Sequence, residues 1–482
     1  MKVSILSNPH SDASKPSISA IMVEQTRRKV LRLFNADPEH FDVVFTANAT
    51  GAIKLVMECF AGHENGFDYY YHHNAHTSLV GVREQAQNSH CLATAGETED
   101  WLAGGRLSPR QKRLDRPALF AYPAQSNMNG ERLPLNWPAR IRDSGRHENT
   151  YCLLDAAALI STTPLDLSNH ATAPDFISMS WYKCFGMPDL GSLIVRKASA
   201  HVLRSRKYFG GGTTEMIGCE GLPWVERKVS SIHASLEDGT IAIRSILALN
   251  CAIDTHASLF DGLSQVSKHT GWLAKVLYDR LADLKHANGT PVCHMYKALT
   301  SIYGDPSSQG ATVTFNIRKG DGSWMSGFSA GAMLRENNIH VRTGSLCNPA
   351  GMAAALGLSA NDLRAAFDSG FRCNQAGNDI RGDIPFGMIR ATLGAMSTLK
   401  DVETLVGFVQ KHFVEHPHGT PRMSGGSKSV MPEESSFATS SFDEKLGNAT
   451  GRPIASTTQR RSRPGPGRSL WRVVFGRCYS LQ

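Results

Sequence analysis

The sequence predicts an α/β protein with a mostly parallel sheet flanked by helices, followed by a smaller α+β domain and a basic tail. Three observations carry this expectation. Between about residues 40 and 200, short apolar runs alternate with amphipathic segments, the pattern of strands joined by helical crossovers. After about residue 245 the texture changes to long helical stretches around a few further strand candidates. From Arg422 onward the chain is rich in Ser, Gly, Pro and Arg, and too poor in apolar residues to offset its ordering entropy. The predicted divisions are 1–245, 246–415 and a disordered tail over 416–482.

The strand candidates of the first region are "FDVVFT" (41–46), "ALFAY" (118–122), "YCLLD" (151–155), "DFISMS" (175–180) and "GSLIVR" (191–196). Ile53, Val56, Met57 and Phe60 fall at helical spacing, so a helix should follow "FTANATGA". In the second region, helical stretches over roughly 246–286 and 328–338 surround "ATVTFNI" (311–317) and "NIHVRTG" (338–344). "MIRATL" (388–393) then leads into a helix with Leu399, Val402, Val406, Val409 and Phe413 on one face. No internal repeat is visible.

Charge and cysteine usage narrow the function classes. Of the formal net charge of +8, six units lie from Arg422 onward, where ten Lys/Arg face four Asp/Glu. The folded part is therefore close to neutral. The basic end could touch an acidic surface, but its composition reads as a solvated tail, so neither a membrane nor a specific nucleic-acid partner is expected. Ten cysteines without a CxxC pair, and a start ("MKVSILSNPHS") without a secretory apolar run, favour reduced thiols and a cytoplasmic location. No metal-binding spacing stands out, and no apolar segment approaches the roughly 20 residues that span a bilayer.

The stretch "SMSWYKCFGM" (178–187) sets Lys183 in an apolar and aromatic run. Burial of an unpaired ammonium is costly, so this predicted buried lysine must be paired, reach water, or lose its charge. Asp155 ends one predicted strand and Lys183 follows the next, so both should face one crevice at the carboxyl ends of the strands. A structural ion pair is the plainer reading of the two. "TANATGA" (46–52) adds small and hydroxyl residues at a strand-to-helix turn, where backbone N–H groups hold a phosphate. Together these parts suit pyridoxal phosphate, whose aldehyde needs a lysine imine, whose ring nitrogen needs an acid partner and whose phosphate needs donors.

At this point the sequence resembles the cysteine-desulfurase-like domain of molybdenum cofactor sulfurases, within the class V aminotransferase family. The resemblance runs from "NPHS" (8–11) to "IRATLGAMST" (389–398). It is carried by "VVFTANATGAIKLV", "HTSLVGVRE" (76–84), "YPAQSNMNGERLPL" (122–135), "LDAAALISTTPLDLSNH" (154–170), "SWYKCFG", "YFGGGT" (208–213), "EDGT" (237–240) and "VRTGSLCNP" (341–349). It implies a fold type I PLP-dependent transferase with a seven-stranded sheet, Lys183 as the imine lysine and Asp155 as partner of the pyridine nitrogen. His76 would stack on the ring. Ala49, Thr50, Ser180 and Tyr182 would bind the phosphate, with Thr240 reaching it from the second subunit of a homodimer.

The resemblance further implies L-cysteine as substrate, a persulfide on Cys347, and binding of the substrate by Arg390 and Asn127. The sulfur would pass to the molybdenum cofactor, as xanthine dehydrogenase and aldehyde oxidase require. Read without the resemblance, His76 is an ordinary surface or capping histidine, Cys347 a small core residue and Arg390 half of an interstrand ion pair. The setting of Cys347 between Gly344 and Pro349, with Arg342 five residues upstream, instead suggests an exposed thiol near positive charge. Against the family pattern the chain is expected to lack the segment before "NPHS", one residue within "FGMPDLGSLIV", and the C-terminal molybdenum cofactor domain. Another class V PLP enzyme, such as a C–S lyase or tailoring enzyme, and a non-catalytic binding protein are the alternatives.

Overall fold

Parallel strands covered on both faces read as near-continuous apolar runs. All five candidates of the first region are strands of one seven-stranded sheet in the computed structural model, which describes residues 18–105, 115–372 and 379–416. The strands are β1 (Phe41–Thr46), β2 (Asp68–His72), β3 (Asn88–Leu92), β4 (Ala118–Pro123), β5 (Thr150–Asp155), β6 (Phe176–Ser180) and β7 (Gly191–Arg196), in the order β1-β7-β6-β5-β4-β2-β3. β7 runs antiparallel to both neighbours, while β6, β5, β4, β2 and β3 pair in parallel. Alternate side chains feed two cores. Val43, Phe120, Leu154 and Ile177 pack on one face, and Val44, Leu119, Leu153 and Phe176 on the other.

The predicted strand set omits β2 and β3. "DYYYH" carries polar ends around three buried tyrosines, and "NSHCL" is an edge strand exposed at four of its five positions, so neither shows the apolar run of a central strand.

Two helices lead into the sheet, α1 (Ile18–Leu33) and α2 (Ala49–Ala61). The apolar face of α2 buries Ile53, Val56 and Phe60, as the spacing requires. Asn48 is its N-cap and accepts the Gly51 N–H through its side chain. The cap sits hard against the start of β7. A Cβ at Gly191 would lie 2.3 Å from the Asn48 carbonyl carbon, so glycine there permits the close approach that places the α2 N-terminus.

An exposed hairpin, β8 (Thr214–Gly218) with β9 (Trp224–Arg227), precedes the second region. There β10 (Cys293–Met295), β11 (Thr312–Ile317), β12 (Arg342–Gly344) and β15 (Met388–Thr392) form a four-stranded sheet in the order β10-β11-β15-β12. A short ladder of β13 (Ile380–Arg381) and β14 (Ile384–Pro385) stands beside it in the sequence. The helical stretch predicted over 246–286 is two helices, Ile243–Phe260 and Leu263–Ala282, because Asp261 and Gly262 both adopt positive φ and end the first. The predicted strand over 338–344 begins only at Arg342, with Asn338 at positive φ before it. Helix Leu399–Phe413 opens with a reciprocal Thr398–Asp401 capping box and packs Val402, Leu405 and Val409 under this sheet.

The described residues up to His416 form one compact unit holding both sheets. The "NPHS" segment and the predicted tail beyond His416 lie outside the described residues. Among the described residues no helix is long and apolar enough to cross a membrane.

The end of β2 has a consequence for stability. His72 is buried, its Nδ1 accepts the Asn74 N–H at 3.1 Å, and its Nε2 has no partner among the described residues. Burial, and secondarily the neighbouring His73, hold its pKa well below the ordinary imidazole value, and burial lowers His73 and His147 too. Above about pH 6.5 these rings are neutral both folded and unfolded. As pH falls through that value the unfolded chain takes up protons that the folded chain refuses, so stability is lost. The melting temperature is therefore expected to fall as pH goes from 7 to 5, and His72→Gln to flatten that slope in calorimetric scans.

Candidate active site

Loops leaving the carboxyl ends of β1, β2, β5 and β6 converge on one pocket of about 180 Å³. From the β1 end come Asn48, Ala49, Thr50 and Ile53, from the β2 end His76 and Ser78, from β5 Asp155 and Ala157, and from β6 Ser180, Tyr182 and Lys183. Seven residues predicted from the sequence thus share one cavity: Ala49, Thr50, His76, Asp155, Ser180, Tyr182 and Lys183.

Lys183 is exposed, which corrects the expectation of a buried ammonium. The buried place in that run belongs to Trp181, whose Nε1 donates to Ser192 Oγ at 2.7 Å and whose ring lies parallel to Phe185. A short helix, Tyr182–Phe185, follows β6 at once and ends at Gly186 in the left-handed region. The lysine therefore lines the pocket while keeping contact with water. Asp155 is buried at the end of β5, with Oδ1 accepting the Ala157 N–H at 3.0 Å. No ion pair joins Lys183 to Asp155 among the described residues, so the plain ion-pair reading fails. Each group is left to face the cavity.

His76 is both a cap and a pocket wall. It is the N-cap of the short helix Thr77–Val80, its Nδ1 accepting the Ser78 N–H at 3.1 Å. Burial lowers its pKa; Asp155 opposes that shift, and Lys183, Arg342 and Arg390 reinforce it. The imidazole is neutral at pH 7. On the β1 side, the Ala49 N–H already donates to Ser180 Oγ at 2.8 Å, and Thr50 Oγ1 shares a 2.8 Å hydrogen bond with Ser78 Oγ. The hydroxyls of Thr50, Ser78 and Ser180 thus stand in a linked group at the N-terminus of α2, whose dipole favours an anion there.

Cys347 reaches the same neighbourhood from the second sheet. Its backbone carbonyl accepts the Thr77 N–H at 3.0 Å, which ties its loop to the residue after His76. The thiol is half-buried, and Arg342 Nη2 donates to Sγ at 3.4 Å. Arg342 is also the cross-strand partner of Arg390 in the β12–β15 ladder. Like charges opposite one another are destabilising unless an anion joins them. Arg390 is half-buried, its Nε is buried with no partner among the described residues, and burial and Arg342 push its pKa down to about 10. No carboxylate pairs with it among the described residues, so the interstrand ion pair is not formed.

Asn127 spends its amide on the cysteine loop: Nδ2 donates to the Leu346 carbonyl at 2.7 Å, and Oδ1 accepts from Asn348 Nδ2 at 3.2 Å. Its carbonyl accepts from Arg390 Nη1. Thr240 is exposed and lies outside the pocket of its own chain. Asn48, Ser78 and Asn348 are the polar groups that the sequence reading passes over. Asn48 was legible as an N-cap ahead of an apolar-periodic segment. Asn348 is likewise an N-cap, followed by Pro349 at the helix start, but its bonds to Asn74 and Asn127 come from segments far away in sequence, as does the Thr50 partner of Ser78.

A lysine, a buried carboxylate, a neutral imidazole and a helix N-terminus at the carboxyl ends of parallel strands define a site for a phosphorylated, ring-bearing aldehyde. The chain belongs to the class-V aminotransferase family, whose model matches residues 3–405. Members of this family are PLP-dependent. Curated relatives are molybdenum cofactor sulfurases. The one from Aspergillus niger is 48% identical over 410 residues, covering 85% of this chain and 49% of that protein. The one from Chaetomium globosum is 45% identical over 447 residues, covering 90% and 57%. The chain thus spans about half the length of the curated relatives it matches.

Among solved structures, the apo cysteine desulfurase from Thermococcus onnurineus NA1 matches with a TM-score of 0.63 at 18% identity, covering 85% of this chain and 88% of that one. A cysteine desulfurase from Escherichia coli matches with 0.60 at 19%, covering 84% and 88%. The fold is that of these fold type I proteins. The residues present also fit the cofactor. The Asp155 carboxylate is buried with a single hydrogen bond among the described residues, the lysine is unpaired, and hydroxyls gather at the α2 N-terminus.

Proposed function

We propose that the chain is a PLP-dependent cysteine desulfurase that moves sulfur from L-cysteine through a Cys347 persulfide to the molybdenum cofactor, free or in a molybdoenzyme such as xanthine dehydrogenase or aldehyde oxidase. One observation carries the reading. The loop bearing Cys347 is hydrogen-bonded to the turn bearing His76, so a thiol in contact with Arg342 adjoins a pocket that holds Lys183 and Asp155.

Bound pyridoxal phosphate supplies an electron sink for the carbanion chemistry of the amino acid. Lys183 Nζ would be the amine that holds the cofactor and, when free, the base that takes the substrate Cα proton and returns it. Asp155 would partner the pyridine nitrogen, His76 would stack on the ring, and Thr50, Ser180 and Tyr182 with the N-terminus of α2 from Ala49 onward would hold the phosphate. Thr240 of a second copy completes that cradle in a homodimer. Arg390, with its partnerless Nε, takes the substrate carboxylate, for which a guanidinium fork is suited.

Cys347 then attacks the substrate sulfur as thiolate. The Sγ–S bond forms and the Cβ–S bond breaks; the electron pair stays with the substrate carbon, which takes a proton to become alanine. The persulfide is the product on the protein, and no external oxidant is needed. Arg342 Nη2 faces the sulfur at 3.4 Å.

The test is direct. Protein loaded with pyridoxal phosphate and given L-cysteine should yield alanine, and mass spectrometry should place one added sulfur on the peptide containing Cys347. Pyruvate and free sulfide in place of alanine would favour a C–S lyase instead.

A further inference from the structure

The cysteine loop carries two consecutive non-glycine residues in the left-handed region, Leu346 at φ 56° and Cys347 at φ 55°. Such a pair is costly and persists only where its surroundings over-determine it. What holds it is a frame of asparagines. Asn348 is fully buried, and both of its amide hydrogens and its Oδ1 are bonded. Its Oδ1 caps helix Pro349–Leu356 by accepting the Gly351 N–H at 3.1 Å. Its Nδ2 donates to the Asn74 carbonyl at 3.1 Å and to Asn127 Oδ1 at 3.2 Å. Asn127 in turn holds the Leu346 carbonyl and accepts from Arg390. Asn74, two residues before His76, is buried and donates to Glu131 Oε2 at 2.9 Å.

We infer that Asn348 is a positioning residue: its amide donor locks the strained Leu346–Cys347 turn, and with it the distance of the thiol from His76 on one side and Arg390 on the other. Cys347 is then a thiol held in place, and the sulfur acceptor has to come to it. Asn127 belongs to the same lock, its side chain bonding Leu346 and Asn348 of the loop. The inference rests on Cys347 as the sulfur carrier, but the geometry of the lock does not, so the two can be tested apart.

The decisive variant is Asn348→Asp. It keeps the shape and the helix cap, since aspartate caps as well as asparagine, and turns the donor into an oxygen facing two acceptor oxygens. Asn348→Ser is the second variant; it keeps the cap and loses the reach to Asn74 and Asn127. The first readout is alkylation of Cys347 by iodoacetamide, followed on its peptide, which needs no turnover. Release of the turn should change that rate at least about fivefold in both variants. The second readout is turnover of L-cysteine. We expect kcat to fall about tenfold or more with KM within about threefold and the covalent link at Lys183 unchanged, because the thiol acts after the substrate has bound.

A purely structural role predicts something else, namely parallel loss of the Lys183 link, KM and melting temperature. That result, or alkylation within twofold of the unsubstituted protein in both variants, overturns the inference. If the unsubstituted protein makes no persulfide at all, the proposed function fails while the alkylation comparison still decides whether Asn348 locks the turn. Should Asn348→Asp not fold, Asn348→Ser alone carries the comparison.

Discussion

Lys183→Ala is expected to abolish turnover of L-cysteine, by on the order of 10³-fold or more, while leaving the fold intact. The reason for the intact fold is geometric. Lys183 is exposed, makes no ion pair among the described residues, and sits in a four-residue helix whose anchor is the buried Trp181 beside it. Replacing an exposed side chain away from such an anchor changes stability by about ±0.5 kcal/mol. The reason for lost chemistry is that no other amine lines the pocket among the described residues. Borohydride reduction of protein loaded with pyridoxal phosphate should place the reduced cofactor on the peptide containing Lys183, and the variant should carry none. A second lysine labelled in the variant, or turnover within tenfold of the unsubstituted protein, would mean that the lysine has been assigned wrongly.

How legible this site was follows from where its information lies. The strands that bring Thr46, Asp155 and Ser180 to one edge are buried on both faces, and such strands announce themselves as apolar runs. The crevice was therefore legible, and so were the residues that end those strands. His76 was placed by resemblance, and its carrier strand was not, because "DYYYH" hides its apolar character in tyrosines and ends in charge or imidazole.

The exposure of Lys183 was misread for a related reason. An aromatic run suggests burial of everything within it, but the run is where a strand becomes a helix, and the four-residue helix sends Trp181 inward and Lys183 outward. The asparagine frame around Cys347 was invisible. Asn74, Asn127 and Asn348 meet only once two sheets have folded against each other, and no local periodicity encodes a hydrogen bond spanning 221 or 274 residues. Arg390 shows the opposite case: its residue type was legible, but only the register of β12 against β15 brings Arg342 opposite, with no ion pair to either among the described residues.

Cys347→Ser separates the sulfur step from everything before it. The serine hydroxyl occupies nearly the same space, can keep the contact that Arg342 makes with Sγ, and leaves the Thr77 bond to the backbone carbonyl untouched. Cofactor loading at Lys183 and binding of L-cysteine should therefore survive, with KM changed by no more than about threefold, because neither step uses the thiol. Alanine formation should fall by on the order of 10³-fold, because a serine hydroxyl cannot take up the substrate sulfur as a persulfide. Among the described residues several cysteines are unsuited to replace it. Cys59, Cys152 and Cys293 are buried, with burial raising the thiol pKa of each. Cys184 follows Lys183 directly, yet burial pushes its thiol far above neutrality, so it stays protonated and inert. Alanine produced by Cys347→Ser at more than a tenth of the original rate would require the C–S bond to break without a protein-bound sulfur acceptor, and the persulfide route would then be wrong even with the lysine assignment intact.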